Sequence, residues 1–137
     1  MSLLTTKGVY GLMALSRIAA GSETAPVSLK EMSEFIGVSK NYLEQILLSL
    51  RNAGIVNSVK GLRGGYFLAR SADDISLYEV FCALEKDFCV TNLGVEQPEF
   101  ALFFEKCEGE LRAMFDKPLS SMDAFANDAQ KYLNYVI

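Results

Sequence analysis

The chain has 137 residues, of which 50% are hydrophobic and 22% are charged. This size and composition are typical of one globular domain rather than a disordered chain. The first residues contain neither an Arg-rich leader nor a long apolar run, and no stretch approaches the roughly 20 apolar residues that span a bilayer. We therefore predict a soluble, cytoplasmic protein that does not engage a membrane.

Histidine is absent, and the three cysteines, Cys82, Cys89 and Cys107, are irregularly spaced. Without imidazole the chain has no Ser–His or Cys–His nucleophile pair and no histidine-containing zinc site. An odd number of cysteines argues against a disulfide framework and fits a reducing compartment. We predict no catalytic residues and no metal ligands, so the protein is not expected to be an enzyme.

The net charge of −4 conceals an asymmetry between the two halves of the chain. Residues 1–70 contain eight Lys and Arg against four Glu, a net charge of +4. Residues 71–137 contain five Lys and Arg against thirteen Asp and Glu, a net charge of −8. Such a division indicates an anionic partner for the first half and a separate task for the second, although chance scatter of surface charge is the alternative.

Two helices are predicted at the start of the chain. Thr5 or Thr6 can cap a helix that runs to about Ala20 with an apolar stripe at helical spacing. The segment Ser28–Glu31 has the form of a capping box and starts a short helix that ends at Ile36.

The segment Leu29–Ile46 has the spacing of a helix-turn-helix. Ser33 lies where the two helices would cross, Gly37 lies in the turn, and Ser39 can cap the next helix, which ends at Ala53–Gly54. A glycine-containing turn allows a near-perpendicular pair whose second helix enters a major groove with its N-terminus first. Crossed helices are also a common packing unit, so the pattern alone does not establish DNA binding.

The first turns of that second helix carry side chains suited to reading base edges. Asn and Gln pair with adenine, Glu accepts from the cytosine amino group, and Lys contacts guanine or phosphate. The exposed residues predicted there are Ser39, Lys40, Asn41, Tyr42, Glu44 and Gln45.

A basic hairpin is predicted directly after this helix. Its strands are Ile55–Lys60 and Tyr66–Arg70, and its tip holds Gly61, Gly64 and Gly65. A narrow tip of glycine and arginine can approach the sugar–phosphate wall and reach a minor groove, and Lys60, Arg63 and Arg70 supply the charge. The alternative is that the glycines only close the hairpin and the basic side chains are solvated.

The acidic half is predicted to be helical. Ser76 and Glu79 form a second capping box that opens a helix through about Leu84, and residues 88–98 form a loop. A long helix with an aromatic face follows, Pro118 ends it, and a final helix runs from Met122 to Val136. The aromatic face is buried either in the core or against a second chain; its residues are Phe100, Phe103, Phe104, Cys107, Leu111, Met114 and Phe115.

The sequence resembles the Rrf2-type (IscR-, NsrR- and CymR-like) winged-helix transcription regulators. The resemblance is carried by Ser39–Leu47 (SKNYLEQIL), by Gly54–Val56 and Ser58–Gly61, and by Gly64–Leu68 (GGYFL), with a similar opening at Leu4–Tyr10. It is strong over residues 3–84 and weak beyond.

The resemblance implies a mainly α fold with a small β-hairpin wing. Residues 1–75 would form the winged helix-turn-helix DNA-binding domain, and residues 76–137 a helical dimerisation and sensor region. The protein would be a homodimer that binds a partly palindromic operator in double-stranded DNA, usually as a repressor.

The resemblance also implies site residues. Base-edge contacts would come from Asn41, Glu44 and Lys60. Val9 replaces a residue that is often basic in the family, so one phosphate contact is expected to be missing. Contacts to the DNA backbone and from the wing would come from Lys7, Ser39, Lys40, Tyr42, Arg63, Gly64 and Gly65, and dimerisation from Phe100, Phe103, Phe104, Leu111, Met114 and Phe115.

Iron–sulfur members of the family carry three cysteines in the loop before the long helix, whereas loop 88–98 contains only Cys89. We therefore expect no cofactor, with an unknown small-molecule or protein effector as the signal. A cluster completed by Cys82, by carboxylates or across the dimer is one alternative. A redox switch at Cys89, which would need exposure and a lowered thiol pKa, is another. A protein–protein interaction module that uses the winged fold without DNA is the alternative of a different class.

Overall fold

A computed structural model describes the backbone of residues 2–136 and the side chains of residues 2–134. It confirms a mainly α fold with one two-stranded antiparallel hairpin. No helix of the described residues is long and apolar enough to cross a membrane. The elements are α1 Thr6–Ala19, α2 Leu29–Ile36, α3 Lys40–Asn52, β1 Val56–Val59, β2 Gly65–Leu68, α4 Leu77–Leu84, α5 Pro98–Phe115 and α6 Met122–Val136, with 3₁₀ turns at Ala72–Asp74 and Leu119–Ser121.

One continuous core joins helices α1 to α4. Burial of its aliphatic side chains supplies the main driving force for folding, because each removes its apolar surface from water. Gly11 allows α1 and α4 to approach closely, since a Cβ at this position would lie 2.3 Å from Leu84 Cδ1. The fully buried members include Leu15, Ile18, Met32, Leu43, Ile46, Leu47, Leu50, Ile55, Val56, Ile75 and Val80.

The start of α1 differs from the prediction. Thr5 is the N-cap residue, but its side chain makes no hydrogen bond to the first turn. Its hydroxyl instead donates to Glu85, at the end of α4. A carboxylate distant in sequence thus takes the place beside the helix N-terminus that a local cap was expected to fill.

The turn between α2 and α3 is held by side chains of both helices. Gly37 adopts φ +82, a left-handed conformation that favours glycine. Ser33 Oγ donates to the Val38 carbonyl at 2.6 Å, and Ser39 Oγ accepts from the Tyr42 amide at 3.2 Å. These local bonds fix the angle at which α3 leaves the turn, as the predicted helix-turn-helix requires.

The capping box expected at the start of α2 is only half present. The Glu31 amide donates to Ser28 Oγ at 3.1 Å, whereas the hydrogen bonds of the described residues include none from the Ser28 amide to the Glu31 carboxylate. At the start of α4 both bonds of the Ser76–Glu79 box are formed.

The hairpin is attached to the body through a third extended segment. β1 and β2 pair from Val56↔Leu68 to Val59↔Gly65. The Val27 amide donates to the Tyr66 carbonyl at 2.9 Å, and the Tyr66 amide donates to the Val27 carbonyl at 2.8 Å. Gly65 permits this approach, because a Cβ there would lie 2.3 Å from the Val27 carbonyl oxygen.

Helix α5 leaves the core over most of its length. Its end is anchored where Phe115 packs against Phe81 and Phe88, with ring centroids 5.2 and 5.4 Å apart. Burial of the whole aromatic face in the core of its own chain, one of the two predicted alternatives, is wrong, because Phe100 and Phe103 are 51% and 59% exposed. No residue of α5 is buried. The side chain of Val136, the predicted last residue of the final helix, lies outside the described residues.

Candidate DNA-binding surface

The exposed face of α3 carries the predicted base-reading side chains. Buried Leu43, Ile46, Leu47 and Leu50 hold the opposite face of α3 in the core. The 3.6-residue period then leaves Lys40, Asn41, Glu44 and Gln45 exposed together. The same period brings Leu48, which is 57% exposed, and Arg51 onto this face. Neither residue is among the base-reading side chains predicted from the sequence.

A shallow cleft lies between α3 and the hairpin. It has a volume of about 240 Å³ and is lined by Glu44, Leu47, Leu48, Arg51 and Tyr66. Burial raises the pKa of the Tyr66 hydroxyl above its ordinary 10.0; the Glu44 carboxylate raises this pKa further, and the Arg51 guanidinium opposes them. Tyr66 therefore keeps its proton at neutral pH and can donate a hydrogen bond. The cleft shows that the exposed face of α3 and the hairpin border one surface.

The start of α1 braces the first turn of α3. The hydroxyls of Thr6 and Tyr42 are hydrogen-bonded at 2.9 Å, and the ring of Tyr10 meets that of Tyr42 edge-on at 6.4 Å between centroids. Lys7 is half-buried and donates to Ser49 Oγ at 2.8 Å. An ammonium group has three donors, so this bond leaves Lys7 able to meet a phosphate as well.

The hairpin tip presents two cations on a tight turn. Lys60 and Arg63 are exposed. Gly61 has φ +110, and the Gly64 amide donates to the Gly61 carbonyl at 3.0 Å. Gly64 is required because a Cβ there would lie 2.2 Å from the Val59 carbonyl oxygen. The predicted tip residues are therefore brought together.

Arg70 does not join this basic tip, contrary to the sequence analysis. Its guanidinium forms an ion pair with Glu79 and donates to the Asp74 carbonyl at 3.0 Å. It therefore connects the end of the hairpin to the start of α4. The positive charge presented at the hairpin tip comes from Lys60 and Arg63.

The predicted dimerisation residues divide into two groups along α5. Leu111 and Phe115 pack against the core of the same chain. Phe100, Phe103 and Met114 are each more than half exposed, and Phe104 is half-buried. The second group forms an apolar surface that the single chain does not cover.

The cysteines lie on three different elements. Cys82 is exposed on α4, Cys89 is half-buried in the segment before α5, and Cys107 is half-buried on α5. Within the described residues, no three His, Cys, Asp or Glu side chains are grouped as a metal site requires. Among the described residues of one chain, Cys89 therefore has no such group of ligands beside it.

Comparison with known proteins agrees with this architecture. The chain is 43% identical over 89 residues to "HTH-type transcriptional regulator IscR" of Klebsiella pneumoniae (strain 342), a match that covers 65% of this chain and 55% of that protein. The structure of CymR, the global cysteine regulator of B. subtilis, superposes with a TM-score of 0.78 at 31% identity and covers 91% of this chain and 98% of CymR. The structure of T. potens IscR superposes with a TM-score of 0.75 at 36% identity and covers 93% of this chain and 90% of that IscR chain.

These three proteins are regulators rather than enzymes, and two are solved structures with the winged architecture described above. The Rrf2 family, described as "Iron-dependent Transcriptional regulator", matches residues 4–124. This match covers most of the chain, including α1 to α5 and the hairpin between α3 and α4. The chain belongs to the Rrf2 family of transcriptional regulators.

Proposed function

We propose that the protein is a homodimeric transcription repressor that binds a partly palindromic operator in duplex DNA. The observation that carries the proposal is the common border of the exposed α3 face and the basic hairpin, at the cleft formed by Glu44, Arg51 and Tyr66. A helix that reads bases and a wing that holds the backbone must act on the same duplex, so they must share one surface.

In this proposal α3 enters the major groove with its N-terminus first. Asn41 and Glu44 face base edges, while Ser39, Lys40 and Tyr42 lie at the start of the helix, where a phosphate is attracted by the helix dipole. Lys60 and Arg63 extend the positive surface to the hairpin tip. Residues 1–75 would thus carry DNA binding, and residues 76–137 dimerisation and response to a signal in the cytoplasm.

Dimerisation is supported by the uncovered apolar surface on α5. Phe100, Phe103, Phe104 and Met114 recur at helical spacing; Phe104 is half-buried in the single chain, and the other three are more than half exposed. An exposed apolar surface of this kind marks an interaction site, and a second copy of α5 offers a self-complementary partner. A two-fold dimer would place two α3 helices on two half-sites of a palindrome.

We further propose that one chain of this regulator does not hold an iron–sulfur cluster. The family is described as iron-dependent, but this chain offers Cys89 alone in the segment before α5, and the described residues do not group three ligands. A cluster needs several converging thiolates or equivalent ligands, so the residues present do not fit one. Protein purified without oxygen should be colourless and iron-free; a brown, iron-containing preparation would overturn this part of the proposal.

Genomic footprinting with the purified protein tests the DNA-binding proposal. We expect protected sites with two-fold symmetry whose half-sites are about one helical turn, or 34–36 Å, apart. An unlabelled operator should compete for binding at lower concentration than unrelated DNA of equal length. Absence of protected sites, with no preference in the competition, would favour a protein–protein interaction module instead.

A further inference from the structure

Leu62 lies at the apex of the hairpin without any cover from its own chain. It is 107% exposed, the highest value among the large exposed apolar side chains of the described residues. A single exposed leucine is common on protein surfaces and identifies no partner by itself. At this position, however, exposed Lys60 and Arg63 lie on either side of it. An apolar side chain between two cations can bind a polyanion with an apolar interior, such as duplex DNA with its phosphates outside and its stacked bases inside.

The turn holds Leu62 in a defined place. The hydrogen bond from the Gly64 amide to the Gly61 carbonyl, at 3.0 Å, makes Leu62 and Arg63 the two central residues of a four-residue turn. Lys60 immediately precedes this turn. The leucine is therefore presented by a turn whose backbone is held by a hydrogen bond, which lowers the entropic cost of the contact.

The hairpin has the length needed to reach a second groove. Each strand has four residues and spans about 13 Å, and the turn extends it further. The centres of neighbouring grooves on one face of B-DNA are about half a helical turn, or roughly 17 Å, apart. Tyr66 of β2 borders the exposed face of α3. A duplex with α3 in its major groove therefore lies beside the hairpin, which is long enough to reach the adjoining minor groove.

We propose that Leu62 enters this minor groove as an apolar wedge at one base step, while Lys60 and Arg63 contact the flanking phosphates. Apolar side chains inserted in this way partly unstack the step and kink the duplex. Pyrimidine–purine steps such as TA and CA unstack most easily, so Leu62 would select deformable sequence without bonding to any base. The inference rests on the proposed DNA binding and adds a specificity-determining residue to it.

The test uses the full-length protein and the operator found by footprinting, with 2-aminopurine placed in turn at each base step under the wing. We expect the wild-type protein to raise the fluorescence at one step in each half-site. Leu62→Ala should abolish the rise and weaken binding about tenfold, while Leu62→Met should retain both properties. Leu93→Ala is the matched control, because Leu93 is 75% exposed but lies outside the hairpin, and it should behave as the wild type.

The outcomes separate this inference from the proposed function. A wild-type complex that forms without any fluorescence rise, or a Leu62→Ala complex with an unchanged rise, would overturn the wedge and leave DNA binding intact. A wild-type protein that protects no DNA would overturn the proposed function, and the wedge with it. Neither Leu62 nor Leu93 belongs to the buried core, so circular dichroism should show that Leu62→Ala, Leu62→Met and Leu93→Ala are all folded.

Discussion

Thr5 donates both its amide and its hydroxyl to the buried carboxylate of Glu85, each at 2.8 Å. Glu85 is the C-cap residue of α4, so this pair ties the end of α4 to the N-terminus of α1. A carboxylate beside a helix N-terminus, here that of α1, is favoured by the helix dipole. The next residue, Thr6, bonds Tyr42 of α3. The start of α1 thus connects the acidic half to the first turn of the proposed recognition helix.

Replacing Glu85 with alanine should destabilise the fold. The Thr5 amide and hydroxyl would lose their acceptor in a part-buried site, at a cost of about 1–3 kcal/mol in the free energy of unfolding. Urea denaturation followed by circular dichroism measures the change. Glu96→Ala, at an exposed position, should stay within about 0.5 kcal/mol of the wild type. Equal midpoints for the two variants would contradict the structural role assigned to Glu85.

Gly65→Ala should displace the hairpin from the body. The new Cβ would lie 2.3 Å from the Val27 carbonyl oxygen, so the two hydrogen bonds between Val27 and Tyr66 would be strained or lost. We expect a loss of about 1–3 kcal/mol in unfolding free energy and weaker DNA binding. Gly94→Ala is the control, because its Cβ would have nothing within 4 Å, and its stability should be unchanged or slightly raised. A fully stable Gly65→Ala variant would show that β2 can move away from Val27 without cost.

Glu44→Ala should change which sequences are bound more than how tightly the protein binds DNA in general. Glu44 is exposed on the proposed recognition face, where its carboxylate can accept from a cytosine amino group. Losing such a contact typically costs about 1–3 kcal/mol of discrimination at one base pair. Selection from randomised duplexes measures the preference, with Glu110→Ala on α5 as the control. An identical selected motif for Glu44→Ala and wild type would remove Glu44 from the base-reading set.

Phe103→Glu should dissociate the proposed dimer. Phe103 is 59% exposed in the single chain, and burying a carboxylate in an apolar interface is costly. Light scattering should find a folded species near the 15.1 kDa of one chain, whereas the wild type should have twice this mass. Binding to the two-fold operator should weaken sharply. Phe103→Leu should keep the dimer. A Phe103→Glu variant that retains the dimer mass would place the interface elsewhere.

Local patterns predicted much of this structure. The caps at Ser39 and Ser76, the turn at Gly37 and the helical period that exposes Asn41 and Glu44 all depend on neighbours within a few residues. Leu48 and Arg51 could have been found by continuing the same period along α3.

The features that could not be predicted depend on contacts between distant segments. Thr5 and Glu85 are 80 residues apart, and no spacing rule pairs them. The sequence position of Arg70 predicts a cation of the hairpin, but the fold places Glu79 of α4 beside it. The exposure of Phe103 depends on how α5 leaves the core, which the pattern of apolar residues along the helix does not specify. The place of Tyr66 beside α3 likewise requires the orientation of the hairpin.

The salt dependence of operator affinity is the decisive measurement of whether α3 and the hairpin bind the phosphates of duplex DNA. If the basic surface of α3 and the hairpin contacts phosphates, the logarithm of the association constant should fall linearly with the logarithm of salt concentration, by about 0.9 for each phosphate neutralised. Arg63→Ala should weaken binding to all sequences alike and reduce this slope by about one. Affinity that is the same for operator and unrelated DNA and does not change with salt would show that this surface is not a sequence-specific DNA-binding site.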